Sequence, residues 1–111
     1  MKQIDLKNFR TVVGKTKSRV FTGRDRGEDV RERSKIDELF SVEDSLEIII
    51  PEDIFSITPS FLEELFKNIA EKYNKDVVLS HVVFKGKYKL IQSTFEEAID
   101  RIIQTKTGLE R

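Results

Sequence analysis

Two short segments gather the residues of this chain that could do chemistry. Gly23-Arg24-Asp25-Arg26-Gly27 leads into a charged stretch beginning Glu28-Asp29-Val30-Arg31, and Thr58-Pro59-Ser60-Phe61-Leu62-Glu63 joins an apolar run to an amphipathic one. Each sets glycines, arginines or hydroxyls where a helix should begin. Helix starts hold unpaired N–H donors and the positive end of the helix dipole. In the first segment the glycines allow positive φ and close backbone approach, so the loop can cradle an anion. Arg24 or Arg26 can then clamp a phosphate or carboxylate through two parallel hydrogen bonds. The competing arrangement is a glycine-rich turn whose arginines pair with Asp25, Glu28, Asp29 or Glu32, the commoner fate of such loops. Neither a Walker loop nor a dinucleotide fingerprint is present.

Two capping schemes compete in the second segment. Thr58 can be the N-cap with Pro59 in the first helical position, where its missing N–H costs nothing. Alternatively Ser60 is the N-cap and Glu63 closes a Ser-x-x-Glu box. Either gives the hydroxyl a structural purpose worth ~1 kcal/mol against alanine. The functional alternative is a switch: a phosphate on Ser60 would bring nearly two negative charges to a corner already carrying Glu63 and Glu64.

A nucleophile, base and orienting group in one motif are missing, so no catalytic residue is assigned and the chain is expected not to be an enzyme. A Ser60–His81 dyad is conceivable, but His81 is expected on a strand face with local partners. With no cysteine and one histidine, no metal site or cofactor is expected.

These residues need elements to position them. Lys2 to Phe9 alternates polar and apolar residues at period two, the pattern of a half-buried strand. Arg10 to Arg19 reads as a loop or hairpin, closed by Val20-Phe21. Gly27 to Phe40 reads as a helix with a thin apolar set of Val30, Ile36, Leu39 and Phe40. Ser41 to Ser45 is an acidic turn. Leu46 to Ile50 is a β-branched run suited to the centre of a parallel sheet and to burial on both faces, ended by Pro51. Phe61 to Tyr73 carries the broadest helical stripe, and Asp76 to Phe84 reads as a further strand ended by Gly86. Thr94 to Gln104 reads as a last helix, followed by a frayed tail over 105–111.

The order of strands and helices predicts a small α/β domain with a mixed sheet and about three helices largely on one side. At 111 residues the chain fits a single domain, 1–111. Net charge is zero but unevenly spread. Lys15 to Lys35 holds eight basic and four acidic residues, and Ile36 to Asp76 three basic and eleven acidic. Such asymmetry can orient a partner or serve only solvation. No apolar run is long enough for a membrane span, and the first residues lack a signal-peptide core. A soluble, cytoplasmic protein is expected.

The motif residues together resemble a known pattern. Phe21-x-Gly23-Arg24-x-x-Gly27-x-x-Val30-Arg31, then a strand, then Ile57-Thr58-x-Ser60-Phe61-x-x-Glu64-Leu65-Phe66, is similar to the bacterial STAS-like domain family of unknown function. The resemblance spans about residues 20–103. It implies the fold of the anti-sigma factor antagonists, in which a Ser or Thr at the second helix start is phosphorylated by a partner kinase of the ATPase superfamily. It therefore implies a regulatory, partner-switching module that docks a protein, with Thr58, Ser60 and Glu63 at one helix start and Gly23, Arg24, Arg26 and Gly27 in the neighbouring loop. The antagonists read Asp-Ser-Ser/Thr-Gly-Leu where this chain has Thr58-Pro59-Ser60-Phe61-Leu62. Pro59 thus fills the usual acceptor position and Ser60 lies one place later. The second functional class is a phosphate- or nucleic-acid-binding domain using the basic loop 15–26, with Lys15, Lys17, Arg19, Arg24 and Arg26 supplying charge and Phe21 or Tyr88 a stacking surface. Near-neutral overall charge weighs against a nucleic-acid partner.

Overall fold

Leu46–Ile49 (β5) is the middle strand of a three-stranded parallel sheet in the computed structural model, which describes residues 2–107. Lys2–Asp5 (β1) pairs along one edge and Val82–Lys85 (β7) along the other. The register aligns Ile4 with Ile48 and Phe84, and Gln3 with Glu47 and Val83. Successive strand residues face opposite sides, so Ile4, Leu46, Ile48 and Val82 turn into the core. Glu47, on the other face, is nonetheless buried. Gln3 Nε2 donates to its Oε1 at 2.6 Å, and the Lys85 ammonium lies 3.9 Å from Oε2. The expected central strand is therefore present, and the polar neighbours of Glu47 answer its charge.

Two smaller sheets complete the β structure. Val12–Val13 (β2) and Thr16–Lys17 (β3) form an antiparallel hairpin turning at Gly14, whose φ is 61°. Val20–Phe21 (β4) does not close this hairpin, contrary to the sequence expectation; it pairs in parallel with Ser56–Ile57 (β6). Burial explains the choice. Phe21 and Ile57 are both almost fully buried, and the Phe21 ring packs 5.2 Å from that of Phe61. Pairing with the exposed hairpin would have left Phe21 in water.

The helical segments are more divided than their periodicity suggests. Arg24–Ser34 (α1) begins three residues before the expected Gly27, and Lys35 then adopts the left-handed conformation (φ 58°). That turn redirects the chain so that Ile36, in Ile36–Leu39 (α2), reaches the core. The expected helix over 61–73 is Pro59–Leu65 (α3) and Lys67–Lys72 (α4), with Phe66 at the joint. Hydrogen bonds from Phe66 N to Leu62 O and from Ala70 N to Phe66 O, both 2.9 Å, carry the helical pattern across it. Phe61, Leu62, Leu65, Phe66, Ile69 and Ala70 are all buried, as the stripe requires.

The stretch 76–84 is a correction. Only its end is strand; Lys75–His81 (α5) is helical, capped by Asn74, whose side chain accepts from Val77 N at 2.9 Å. Valine-rich sequence favours strands mainly when a sheet place is open to it, and β5 offers a partner only to residues 82–85. Gly86 ends that strand at φ 147°, where a Cβ would lie 2.8 Å from the Ile50 carbonyl oxygen. Ile91–Thr107 (α6) starts earlier than expected and runs into the stretch expected to fray; residues 108–111 of that tail lie outside the described residues. Phe95, Ala98, Ile99 and Ile102 are its buried face.

The described residues are thus a mixed α/β domain of seven strands and six α-helices. The mixed sheet expected as one body is split into three. Helix breaks at Lys35 and Phe66, together with the unforeseen α5, raise the helix count above three. One hydrophobic cluster takes residues from every α-helix and from every strand except β2 and β3. Among the described residues no helix is long and apolar enough to cross a membrane.

Candidate functional site

The starts of α1 and α3 meet, and Thr58 joins them. Thr58 Oγ1 accepts from Phe61 N at 3.4 Å and from Gly23 N at 3.3 Å, and lies 3.1 Å from Ser60 Oγ. Thr58 is therefore the N-cap with Pro59 next, and the Ser60–Glu63 capping box does not form. The Thr58 amide donates to Phe21 O at 3.1 Å, tying the corner to β4. Gly23 caps α1 at φ 88°, a backbone conformation that a side chain would oppose. Gly27, one turn on, is set so close to α3 that a Cβ there would be 2.4 Å from Phe61 O.

Beyond the caps lies a network of charge. Glu63 is buried and takes hydrogen bonds from Arg24 Nη2 at 2.9 Å and Arg101 Nη1 at 3.1 Å. Glu64 receives Arg24 at 3.4 Å and Arg31 at 3.3 Å, and its backbone carbonyl also accepts from Arg31. Glu63, hydrogen-bonded to Arg24, holds that guanidinium proton tighter than usual, and Glu64 adds to the effect. A cleft of about 220 Å³ opens beside the network, with Arg24, Glu63, Glu64, Lys67 and Ile102 in its walls.

All seven candidate residues, Gly23, Arg24, Arg26, Gly27, Thr58, Ser60 and Glu63, thus fall on two adjoining helix starts, and all but Arg26 lie at the corner where these meet. Arg26 turns away: it pairs with Asp29 at 2.7 Å and donates to the Phe9 carbonyl. Its partner is one of the acids expected from the sequence. Arg24 instead reaches across to α3, so an incoming anion would have to displace Glu63 and Glu64 to use it. Arg31 and Arg101 were missed, because only the packing of α1 and α6 against α3 brings them to these carboxylates.

The other sequence candidates are dispersed. His81 occupies the last turn of α5 rather than a strand face; its Nδ1 lies 2.8 Å from Val77 O and 3.0 Å from Ser80 Oγ, its Nε2 2.9 Å from Val42 O. The Nδ1 contacts are local, as expected, whereas Val42 is 39 positions away, and Ser60 is not among the partners. Of the proposed stacking rings, Phe21 is buried and Tyr88 half-buried against the core. Among the described residues no cluster of three His, Cys, Asp or Glu side chains is arranged to hold a metal ion.

Comparison with family models, with curated proteins and with solved structures found no match to this chain.

Proposed function

We propose that this chain is a cytoplasmic, non-enzymatic regulatory module of the STAS-like type, which docks a protein partner at the joined starts of α1 and α3. The observation that carries the reading is the sharing of one hydroxyl, Thr58 Oγ1, by Gly23 N–H, Phe61 N–H and Ser60 Oγ. A change at Ser60 is felt at once by both segments that the sequence resemblance singles out.

The two hydroxyls have different freedom. Thr58 is committed to the cap and to the bridge across to Gly23, whereas Ser60 touches the cap only through its contact with Thr58. Ser60 is also partly exposed. It is thus the hydroxyl whose modification leaves the cap donors in place. Phosphorylation there adds nearly two negative charges to a corner whose arginines are already engaged by Glu63 and Glu64. Like-charge repulsion would then work against the docking of an acidic surface and re-partition Arg24. The resemblance supplies the class of partner, an ATPase-type kinase related to those acting on anti-sigma factor antagonists.

Affinity capture with wild type, Ser60→Ala and Ser60→Glu from a lysate of the source cell, read by mass spectrometry, tests the reading. Selective loss of one ATPase-like protein in Ser60→Glu alone, with folding stability changed by less than about 1 kcal/mol, is the expected result. Equal recovery by all three removes the switch.

A further inference from the structure

Between Asp5 and Asp25 the chain carries Lys7, Arg10, Lys15, Lys17, Arg19 and Arg24 and no acidic residue. The fold sorts these six cations. Arg24 is bound by Glu63 and Glu64, and Arg10 makes a two-point contact with Asp53, 2.9 Å at each oxygen. Lys7 lies 4.0 Å from Asp5. Lys15 and Lys17, on the projecting β2–β3 hairpin, are exposed and make no ion pair among the described residues. Arg19 donates to the Asp53 carbonyl at 3.1 Å, and its guanidinium carbon stands 5.5 Å from the centre of the Phe55 ring.

Phe55 is the unusual member. It is 63 % exposed, the only aromatic ring so open among the described residues, although the core takes Phe21, Phe61, Phe66 and Phe95 almost completely. Its backbone is held: the amide donates to Arg19 O at 3.0 Å, extending the β4–β6 pairing by one step beside the hairpin base. The hairpin register sets Val12 opposite Lys17, so these two share a face, and Arg19 follows two residues past Lys17 at the base of the hairpin. An exposed aromatic ring with a guanidinium over it, next in the chain to a hairpin carrying two unpaired lysines, is a combination that can stack an unpaired base and neutralise its phosphates. The chemistry of the cations points the same way. Lysine is depleted in protein–protein contacts, whereas phosphate backbones recruit it.

We propose that the β2–β3 hairpin, with Arg19 and Phe55, is a binding surface for single-stranded nucleic acid. Phe55 stacks one base, and Lys15, Lys17 and Arg19 contact the flanking phosphates. The surface lies apart from the Thr58–Ser60 corner and does not depend on its reading.

Fluorescence anisotropy with labelled dT and rU oligonucleotides of roughly 12 nucleotides, at about 50 mM salt, tests the proposal. Wild type binds, with log K falling against log salt at a slope of about −2 for three phosphate contacts. Phe55→Ala weakens binding about 10-fold while Phe55→Trp restores it, as stacking requires. The Lys15→Gln, Lys17→Gln double variant flattens the salt slope to about −0.7. All three substituted side chains are exposed, so circular dichroism melts coinciding with wild type accompany these results. Absence of oligonucleotide binding overturns the proposal. So does binding indifferent to Phe55, or preference for a poly-glutamate peptide over both oligonucleotides, which would assign the surface to an acidic protein.

Discussion

At Gly27 the two helices of the corner approach closely, and its missing side chain is a structural requirement. A Cβ would meet Phe61 O at 2.4 Å and Glu64 Cβ at 2.7 Å, and neither a backbone oxygen nor the root of a side chain can swing aside. Gly27→Ala should destabilise the fold by about 2–3 kcal/mol through forced separation of α1 and α3, read as a lower midpoint in urea unfolding. An unchanged midpoint would mean that the helices separate freely. Asp53 offers a second residue-level test. The Arg10 guanidinium, hydrogen-bonded to both its oxygens, holds its carboxyl below the usual carboxylate range. A depressed folded-state value means that the unfolded chain binds the proton first as pH falls. The contribution is therefore present above the ordinary aspartate range, near ~4, and is lost as pH drops through the folded value. Thermal melts from neutral pH downward should show a smaller acid-side decline in Asp53→Asn than in wild type; parallel declines would dismiss the pair as a source of pH dependence.

Lys35 decides how one helical stretch becomes two elements. Its φ of 58° ends α1, with its amide hydrogen-bonded to Arg31 O at 3.2 Å, and starts α2 at the angle that buries Ile36. A left-handed residue with a side chain is held at a cost of about 1–2 kcal/mol, which glycine avoids. Part of that gain is offset by the greater freedom of glycine in the unfolded chain. Lys35→Gly should therefore stabilise the protein by up to about 1 kcal/mol, a rise in unfolding midpoint, because Lys35 is exposed and its side chain supports nothing else in the core. A fall in midpoint would show that the side chain does more than tolerate the turn. The joint at Phe66 is different in kind. Its ring is buried and packs 4.9 Å from that of Phe95, so this interruption is held by packing and not by backbone conformation.

Phe66, Phe95 and Phe84 form a chain of rings, each pair 4.9 Å apart, that connects α3–α4, α6 and β7. Domains of this size are stable by about 5–15 kcal/mol, so Phe95→Ala, at about 3–5 kcal/mol, should consume much of that margin. Loss of cooperative thermal unfolding near ambient temperature is the expected outcome, and a variant melting like wild type would place the core elsewhere. At the scale of the whole molecule, the division between sequence and tertiary structure has a physical basis. Local pattern located the apolar centre of the sheet at 46–49, the apolar stripes of α3, α4 and α6, and a hydroxyl-capped helix start at 58–60, because period and capping are properties of neighbours in the chain; that Thr58 and not Ser60 is the cap was decided by the structure. The same patterns misled at 76–81, where valines that would suit a strand found no open sheet edge and formed α5 behind an Asn74 cap. They misled again at Val20-Phe21, which joined β6 to bury Phe21. All seven candidate site residues were legible as two helix starts, though not that Arg26 turns away to Asp29. That Thr58 joins them, that Glu63 lies between Arg24 and Arg101, and that Phe55 stays in solvent beside Arg19 depended on contacts between residues roughly 35–40 positions apart. Such contacts follow from which surfaces the common core brings together, and no local period encodes that.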